Sequence, residues 1–582
     1  MNHYIQLKKS NCKNCYKCIR HCPVKSIKFA DHQANIVKEQ CILCGECFVA
    51  CPQNAKQIRN DVAVVKRMLS SGKPVYASIA PSFIANYEGA DLPSMKEVLG
   101  KLGFSDVQET ALGATLVKKQ YEKMISSGEK KAIISSCCHT VNILIQKYYP
   151  EALPYLAKVL SPMQAHCMKI KEEHPDAYTV FIGPCISKKE EADQYPGIVD
   201  CVITFEELSD WLKEEELSVV PAGEYPAAKN NASSCGDINS SASSSFGSAS
   251  SSFGRARLFP IPGGIIRSMQ FKKEKYDYIA VDGIDNCIRA IGNIINGELN
   301  DCFIEMSACA GSCVGGPAMD KENRQMLSDY IRINHSAGDQ DFPIELPVNL
   351  LDKHFNYLGF NNQMPGSLAI NEILHKMGKS TPEQELNCGS CGYNTCREKA
   401  IAVYQGKADL TMCLPFLKEK AENFSDNIIY NMPNGVIVLN EELEIQQINR
   451  AAAALLNIEN KHDIINQPVM RILNPSIYLE VATNGRNLHD KLTFLDEYQK
   501  YIEETIIYDK TYHIIISIMK DVTVEEKLRL KKEKVNKQTV EIADKVIEKQ
   551  MRVVQEIASL LGETTAETKI ALTNLKESLN NE

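Results

Sequence analysis

The chain has 582 residues, 44% of them hydrophobic and 24% charged, with a net charge of −8 and 22 cysteines. That length suggests roughly four domains at about 150 residues each, with material for several cores. The acidic balance leaves no basic footprint for nucleic acid, and no apolar run is long enough for a membrane span or a signal sequence. The expected location is the cytoplasm, where thiols stay reduced, so the cysteines are expected to be metal ligands and not disulfides.

Residues 1–60 carry two cysteine runs. "CKNCYKCIRHCP" gives Cys12, Cys15, Cys18 and Cys22 before Pro23, and "CILCGECFVACP" gives Cys41, Cys44, Cys47 and Cys51 before Pro52. Each is C-x2-C-x2-C-x3-C-P, the two-cluster bacterial ferredoxin spacing, in which the fourth cysteine of each run serves the other cluster. One 4Fe–4S cluster is expected on Cys12, Cys15, Cys18 and Cys51, and a second on Cys41, Cys44, Cys47 and Cys22.

Residues 61–375 alternate strand-like apolar runs (VYASIA, KAIISS, TVFIGP, CVITF, YDYIAV, CFIEMS) with amphipathic helical stretches, which predicts an α/β domain. A low-complexity Ser/Gly stretch over 230–254, containing Cys235, interrupts it and reads as a flexible insertion. Four cysteines fall at strand ends: Cys138 in "ISSCCHT", Cys185 in "FIGPCISKKEEA", and Cys309 and Cys313 in "EMSACAGSCVGGPA". Loops at strand ends of an α/β domain are the usual place for a site, and four thiolates suit one more cubane. Cys167, Cys201, Cys287 and Cys302 lie in apolar or mixed contexts and read as buried thiols. His166 reads as a packing or capping histidine.

Residues 376–420 hold Cys388, Cys391, Cys396 and Cys413 as C-x2-C-x4-C-x16-C-P, with a helical stretch returning the last cysteine to the first three. The pattern resembles the small 4Fe–4S domains of corrinoid iron–sulfur and related redox proteins; a structural zinc site is the alternative. Over 421–525, two strands, a helix and a late hairpin closing on "DVTVEEK" resemble a PAS domain, with His513 expected in a strand. Residues 526–582 read as long helix. Val535, Ile542, Val546, Val553, Ile557 and Leu560 form a stripe suited to a partner helix in a homo-oligomer. The tail resembles a histidine-kinase dimerisation helix, with Gln555 where a phosphoacceptor histidine would stand and no glycine-rich ATP box after it.

The three middle-domain loops are similar to the signature loops of the FeFe hydrogenases, T-S-C-C-P-x-W, P-C-x-x-K-K-x-E and E-x-M-x-C-P-x-G-C, and the likeness spans roughly residues 1–375. With a second cluster module and a PAS-like region behind, the architecture resembles the sensory, PAS-containing FeFe hydrogenases. The resemblance implies a multidomain α/β and α+β protein: a ferredoxin-like two-cluster domain, an α/β FeFe-hydrogenase catalytic domain, a small 4Fe–4S domain, a PAS α+β domain and a C-terminal helix or coiled coil.

It further implies an H-cluster. A cubane on Cys138, Cys185, Cys309 and Cys313 would bridge, through Cys313, to a two-iron subcluster carrying carbon monoxide, cyanide and a bridging dithiolate amine. Lys188 would donate to an iron-bound cyanide and Cys137 would carry protons. H2 and protons would be the substrates, a ferredoxin the electron partner, and a separate kinase or phosphatase the signalling partner.

The chain departs from the family in its surroundings. His139 and Val141 replace the proline and tryptophan, and Ser307 the methionine two before Cys309. Cys309-Ala-Gly-Ser-Cys313 replaces C-P-x-G-C, and Glu88, the acid nearest the family's glutamate relay, is out of register. These departures predict slow turnover or altered bias, as suits a sensor. Met163 and Gln164 belong to a stretch the family places near the two-iron unit. The competing expectation is a non-catalytic iron–sulfur protein that senses redox state or oxygen on a hydrogenase-like fold without the two-iron unit.

Overall fold

The computed structural model describes residues 4–561 apart from 9–10, 32, 129, 222–252, 275, 321–325 and 361–363, and in the tail 569–571, 573–574 and 576. Backbone alone is described at 326, 422, 425–426, 558 and 560–561. Cys235, nearly all of the Ser/Gly insertion and the Leu560 side chain therefore lie outside the described residues. The chain divides into two compact units, Met1–Phe416 and Leu417–Glu582.

In the first unit, two small antiparallel ladders frame the N-terminal cysteine runs: Ile5–Leu7 with Lys56–Ile58, and Ile27–Ala30 with Gln33–Ile36. Each run closes in a short helix, Lys17–His21 before Cys22 and Glu46–Val49 before Cys51. The second run presses on the α/β domain at Gly45. With φ +81° and an ideal Cβ only 2.5 Å from Pro317, this position admits no side chain.

The α/β domain has two parallel sheets. One has the order Asp106–Glu109, Val75–Ile79, Tyr178–Gly183, Cys201–Thr204; the other has the order Asp277–Asp282, Cys302–Ser307, Ala132–Ile134. Helices cover the faces, and most strand residues are buried, the pattern that near-continuous apolar runs predict. Asp106–Glu109 (DVQE) has no strand signal in the sequence, because its alternation carries only one apolar side chain. The expected buried thiols Cys167, Cys201, Cys287 and Cys302 all lie in the core. His166 is also buried, with Nδ1 2.7 Å from Ser78 Oγ, and burial lowers its pKa to about 3, so it packs as a neutral ring.

The small cysteine module begins earlier than 376. Helix Ser367–Lys376 packs on helix Cys396–Tyr404, and Leu374, Met377, Ala400 and Cys413 share one apolar cluster.

In the second unit, a five-stranded antiparallel sheet has the order Ile445–Ile448, Gly435–Asn440, Ile514–Asp521, Lys500–Asp509, Leu488–Leu495. It packs on helices Arg450–Leu455 and Ser476–Asn484 around Ile437, Ile445, Tyr478, Ile506 and Ile515. Leu488–Leu495 is a strand beyond those the sequence predicts. His513 is not a strand residue: it has φ +55° in the turn between the last two strands, where Nδ1 lies 2.7 Å from Glu441 Oε1. Helix Thr523–Leu561 follows, with Val535, Ile542, Val546, Val553 and Ile557 exposed. Among the described residues no helix is long and apolar enough to cross a membrane.

Candidate functional site

Three loops leave the carboxyl ends of parallel strands and meet. Ala132–Ile134 leads to Cys137 and Cys138, Tyr178–Gly183 to Cys185, and Cys302–Ser307 to Cys309 and Cys313. All five cysteines line one cavity of about 120 Å³, together with Lys188, His139, Ser307 and Met163. Phe181, Phe259 and Ile265 give it apolar walls. Burial and the neighbouring thiols push Cys138, Cys309 and Cys313 upward in pKa. Thiols so placed release their protons only to a strongly cationic group, and the donor set fits a cubane. Among the described residues no three His, Cys, Asp or Glu side chains surround a single ion. A cubane binds through four separate irons, so its ligands stand farther apart than ligands sharing one ion.

A buried charge network backs this cavity. Lys188 Nζ lies 2.5 Å from Glu191 Oε2 and donates to the Cys137 carbonyl at 3.1 Å. The other Glu191 oxygen is 2.5 Å from Lys353 Nζ, and the Ser161 hydroxyl donates to Glu191 at 3.1 Å. Lys353 also donates to Gln164 Oε1 at 2.8 Å. Burial disfavours the Glu191 carboxylate, but Lys188, Lys353 and His139 overcome it and hold the group far below the usual range. Burial likewise opposes the Lys188 cation, and Glu191 more than reverses it, so Lys188 stays charged.

Residues 73–317 match the family described as "Iron only hydrogenase large subunit, C-terminal domain". These residues form a hydrogenase-like domain. A 4Fe-4S dicluster domain matches residues 4–52, an Fe-S cluster family matches 384–415, and the PAS fold matches 423–494.

Iron hydrogenase 1 of Clostridium pasteurianum is 27% identical over 345 residues, covering 52% of this chain and 59% of its own length. The chain thus spans less than two thirds of that relative. The periplasmic Fe hydrogenase large subunit of Nitratidesulfovibrio vulgaris is 25% identical, over 54% of this chain and 86% of its own. A cytosolic Fe-S cluster assembly factor of Danio rerio is 23% identical, over 52% and 87%. A solved FeFe hydrogenase from Chlamydomonas reinhardtii is 18% identical with a TM-score of 0.39, covering 52% of this chain and all of that one.

Within the hydrogenase domain, two groups escaped the sequence reading. The Tyr121 hydroxyl is 3.2 Å from Cys137 Sγ and 3.1 Å from Ser136 Oγ, and it accepts the Ser136 N–H at 2.9 Å. Glu305 is buried on the strand leading to Cys309, and burial pushes its pKa up to about 7 against hydrogen bonds from the backbone around Ile266. Burial lifts Cys137 to about 12, the Tyr121 hydrogen bond and Lys188 opposing, so it is a thiol near neutrality. Glu305 stands four residues before Cys309 in the quoted loop, where it was legible; Tyr121 lies on a helix with nothing in its neighbours to mark it.

The departures also take their places. His139 is buried in the cavity wall with Nε2 2.5 Å from Glu190 Oε2. Glu88 lies on the surface, paired with Arg332 at 2.6 Å.

The remaining candidate cluster ligands gather in three further sets. Cys22 joins Cys41, Cys44 and Cys47 around one small cavity. Cys388, Cys391, Cys396 and Cys413 line another with Tyr393 and Lys399. Cys18, raised to about 11 by burial, has Cys12, Cys15 and Cys51 as its thiol neighbours.

Proposed function

We propose that this chain is a sensory hydrogenase that interconverts H2 with two protons and two electrons in the five-cysteine cavity. The observation that carries the reading is a difference in space. Its cavity volume is about 120 Å³, against about 20 Å³ for the small module and about 10 Å³ for the Cys22 set, each also lined by four candidate ligands. Room beyond a cubane, a fifth thiol and a fixed lysine suit a cubane joined to a two-iron unit.

Cys138, Cys185, Cys309 and Cys313 would hold the cubane. When bound, the group supplies an electrophilic iron with an open position and an amine base for heterolytic cleavage of H2. Lys188 offers a fixed cation to an anionic ligand in a largely apolar cavity, a charge-assisted contact. Glu191 keeps that lysine in place and ionised. Cys137 relays protons at Sγ, releasing its own S–H proton as it accepts another, and the Tyr121 hydroxyl is its hydrogen-bonded neighbour. Glu305, titrating near neutrality, stores a proton on the same side. Ser307, Met163 and Phe181 form part of the cavity wall.

The proposed cubanes of the three other thiol sets pass electrons to a ferredoxin-type carrier in the cytoplasm. The PAS domain and its long helix, paired with a second copy, pass the signal to a kinase or phosphatase. Infrared spectra of the fully assembled protein test the catalytic part: bands of iron-bound carbon monoxide and cyanide are expected.

Their absence, with every cubane assembled, favours a redox- or oxygen-sensing iron–sulfur protein without the two-iron unit. His139 and Ser307 in the cavity wall, and the likeness to the assembly factor, are the observations on that side.

A further inference from the structure

The small C-terminal thiol module docks on the ferredoxin-like domain, and its place there is specific. Its Gly392 (φ +91°) sits over Ile19, where an added Cβ would lie 3.0 Å from the Ile19 side chain and 3.2 Å from the Tyr16 carbonyl. Tyr393 is buried in the same apolar cluster as Ile19, Cys22 and Cys47, with Cys391 at its edge. The Phe29 N–H donates to the Lys407 carbonyl at 2.7 Å. Lys25 stitches the seam: its ammonium donates to the carbonyls of Ile19 (3.2 Å), Arg20 (3.1 Å) and Gly392 (3.2 Å), the last belonging to the small module.

We propose that Lys25, Tyr393 and the Ile19–Gly392 contact join the small module's thiol set directly to the Cys22 set, making the latter a fork in the electron path. The fork rests on the reading that these thiol sets hold cubanes.

Three neighbours meet at the Cys22 set. Toward the hydrogenase domain, the loop at Gly45 abuts Pro317 and Ile186, and Cys44 is among the groups acting on Cys309. Toward the first ferredoxin set, Cys18 acts on Cys47. Toward the small module, Cys22 and Cys391 both act on Tyr393 and on Lys25, and Cys22 also acts on Lys407. Cys391 also acts on Tyr16, which lies between Cys15 and Cys18, so the first ferredoxin run borders the small module as well. The proposed path branches at the Cys22 set, with the Cys12 and Cys388 sets on separate limbs.

The step is a one-electron exchange. A reduced cluster on the Cys22 set becomes oxidised as an oxidised cluster on the small module becomes reduced; no bond breaks and no proton moves. The electron originates from H2 oxidation in the hydrogenase cavity, or from dithionite in the test. Cys413 directly precedes helix Leu414–Asn431, the segment leading to the PAS fold, so this limb brings redox state to the start of that helix.

The experiment uses full-length protein loaded with cubanes and reduced by dithionite, which needs no two-iron unit. Electron paramagnetic resonance reads the dipolar splitting between the Cys22-set and small-module clusters. The splitting is expected to survive in C12A/C15A and to vanish in C388A/C391A; its loss in C12A/C15A, with the small cluster assembled, overturns the fork.

Lys25→Gln keeps every thiol and decides the matter should the cysteine variants not fold. Redox titration is expected to show both clusters about tenfold less reduced at a fixed poise, about 59 mV for one electron, with Lys25→Arg restoring both. A shift in one cluster alone, or in neither, overturns the joint role of Lys25. Missing carbon monoxide and cyanide bands would defeat the proposed catalysis and leave the fork standing; a missing splitting would defeat the fork alone.

Discussion

The five-cysteine cavity and the small-module cavity each bring four candidate cluster ligands together, and they differ in what surrounds the sulfur. In the small module, Lys399 faces the thiols and donates to the Asp409 carbonyl, and burial lowers its pKa to about 8. In the hydrogenase domain, Lys188 and Lys353 share the Glu191 carboxylate, and Cys137, Tyr121 and Glu305 add groups that hold protons. A site for electrons alone needs thiols and a cation; a site for protons and electrons needs titratable groups held at different strengths.

The comparison breaks first at Glu191. Replacing it with alanine leaves two buried lysines without their anion, and a loss of about 3–5 kcal/mol is expected in denaturant titrations. A loss under about 1 kcal/mol would mean that the network does not organise the cavity.

Glu305 gives the next effect. Its carboxyl binds a proton more tightly folded (about 7) than at the ordinary value of 4.5, so the native state holds the extra proton between those values. Stability therefore falls as pH rises from about 4.5 to 7, by about 3 kcal/mol at 1.36 kcal/mol per pKa unit. Glu305→Gln should flatten that limb in thermal melts taken across this window.

Cys137→Ala sharpens the contrast in function. Turnover of H2 is expected to fall about 100-fold, the scale of a lost proton-transfer group, with iron content unchanged. Unaltered turnover removes Cys137 from the proton path. The smallest effect belongs to Glu88→Gln. Its ion pair with Arg332 is exposed, so a stability change under about 1 kcal/mol and unaltered turnover are expected; reduced turnover would restore Glu88 to the relay.

Much of this contrast was legible in the chain. Cysteine spacing pointed to the sets, because a cubane needs thiols at fixed separations and short loops reproduce them. The strand ends bearing Cys138, Cys185 and Cys309 followed from apolar runs broken by glycine and proline. Long-range pairing was not legible: Glu191 and Lys353 are 162 residues apart, and no local pattern couples them. Tyr121 looks like any aromatic on a buried helical face. Helix Ser367–Lys376 carries no cysteine, so its membership of the small module emerged only from packing. His513 read as strand because its neighbours are apolar and β-branched, yet the hairpin needs a residue at positive φ there.

The two seams on the Cys22 set have one more consequence. Gly45 meets Pro317 with no room for a methyl group, and at Gly392 an added Cβ would lie 3.0 Å from Ile19. Considered as wiring, each glycine would set the thickness of an insulating gap on the proposed path, and electron tunnelling weakens steeply as such a gap widens. A single added carbon at either joint would then act as a washer between two conductors.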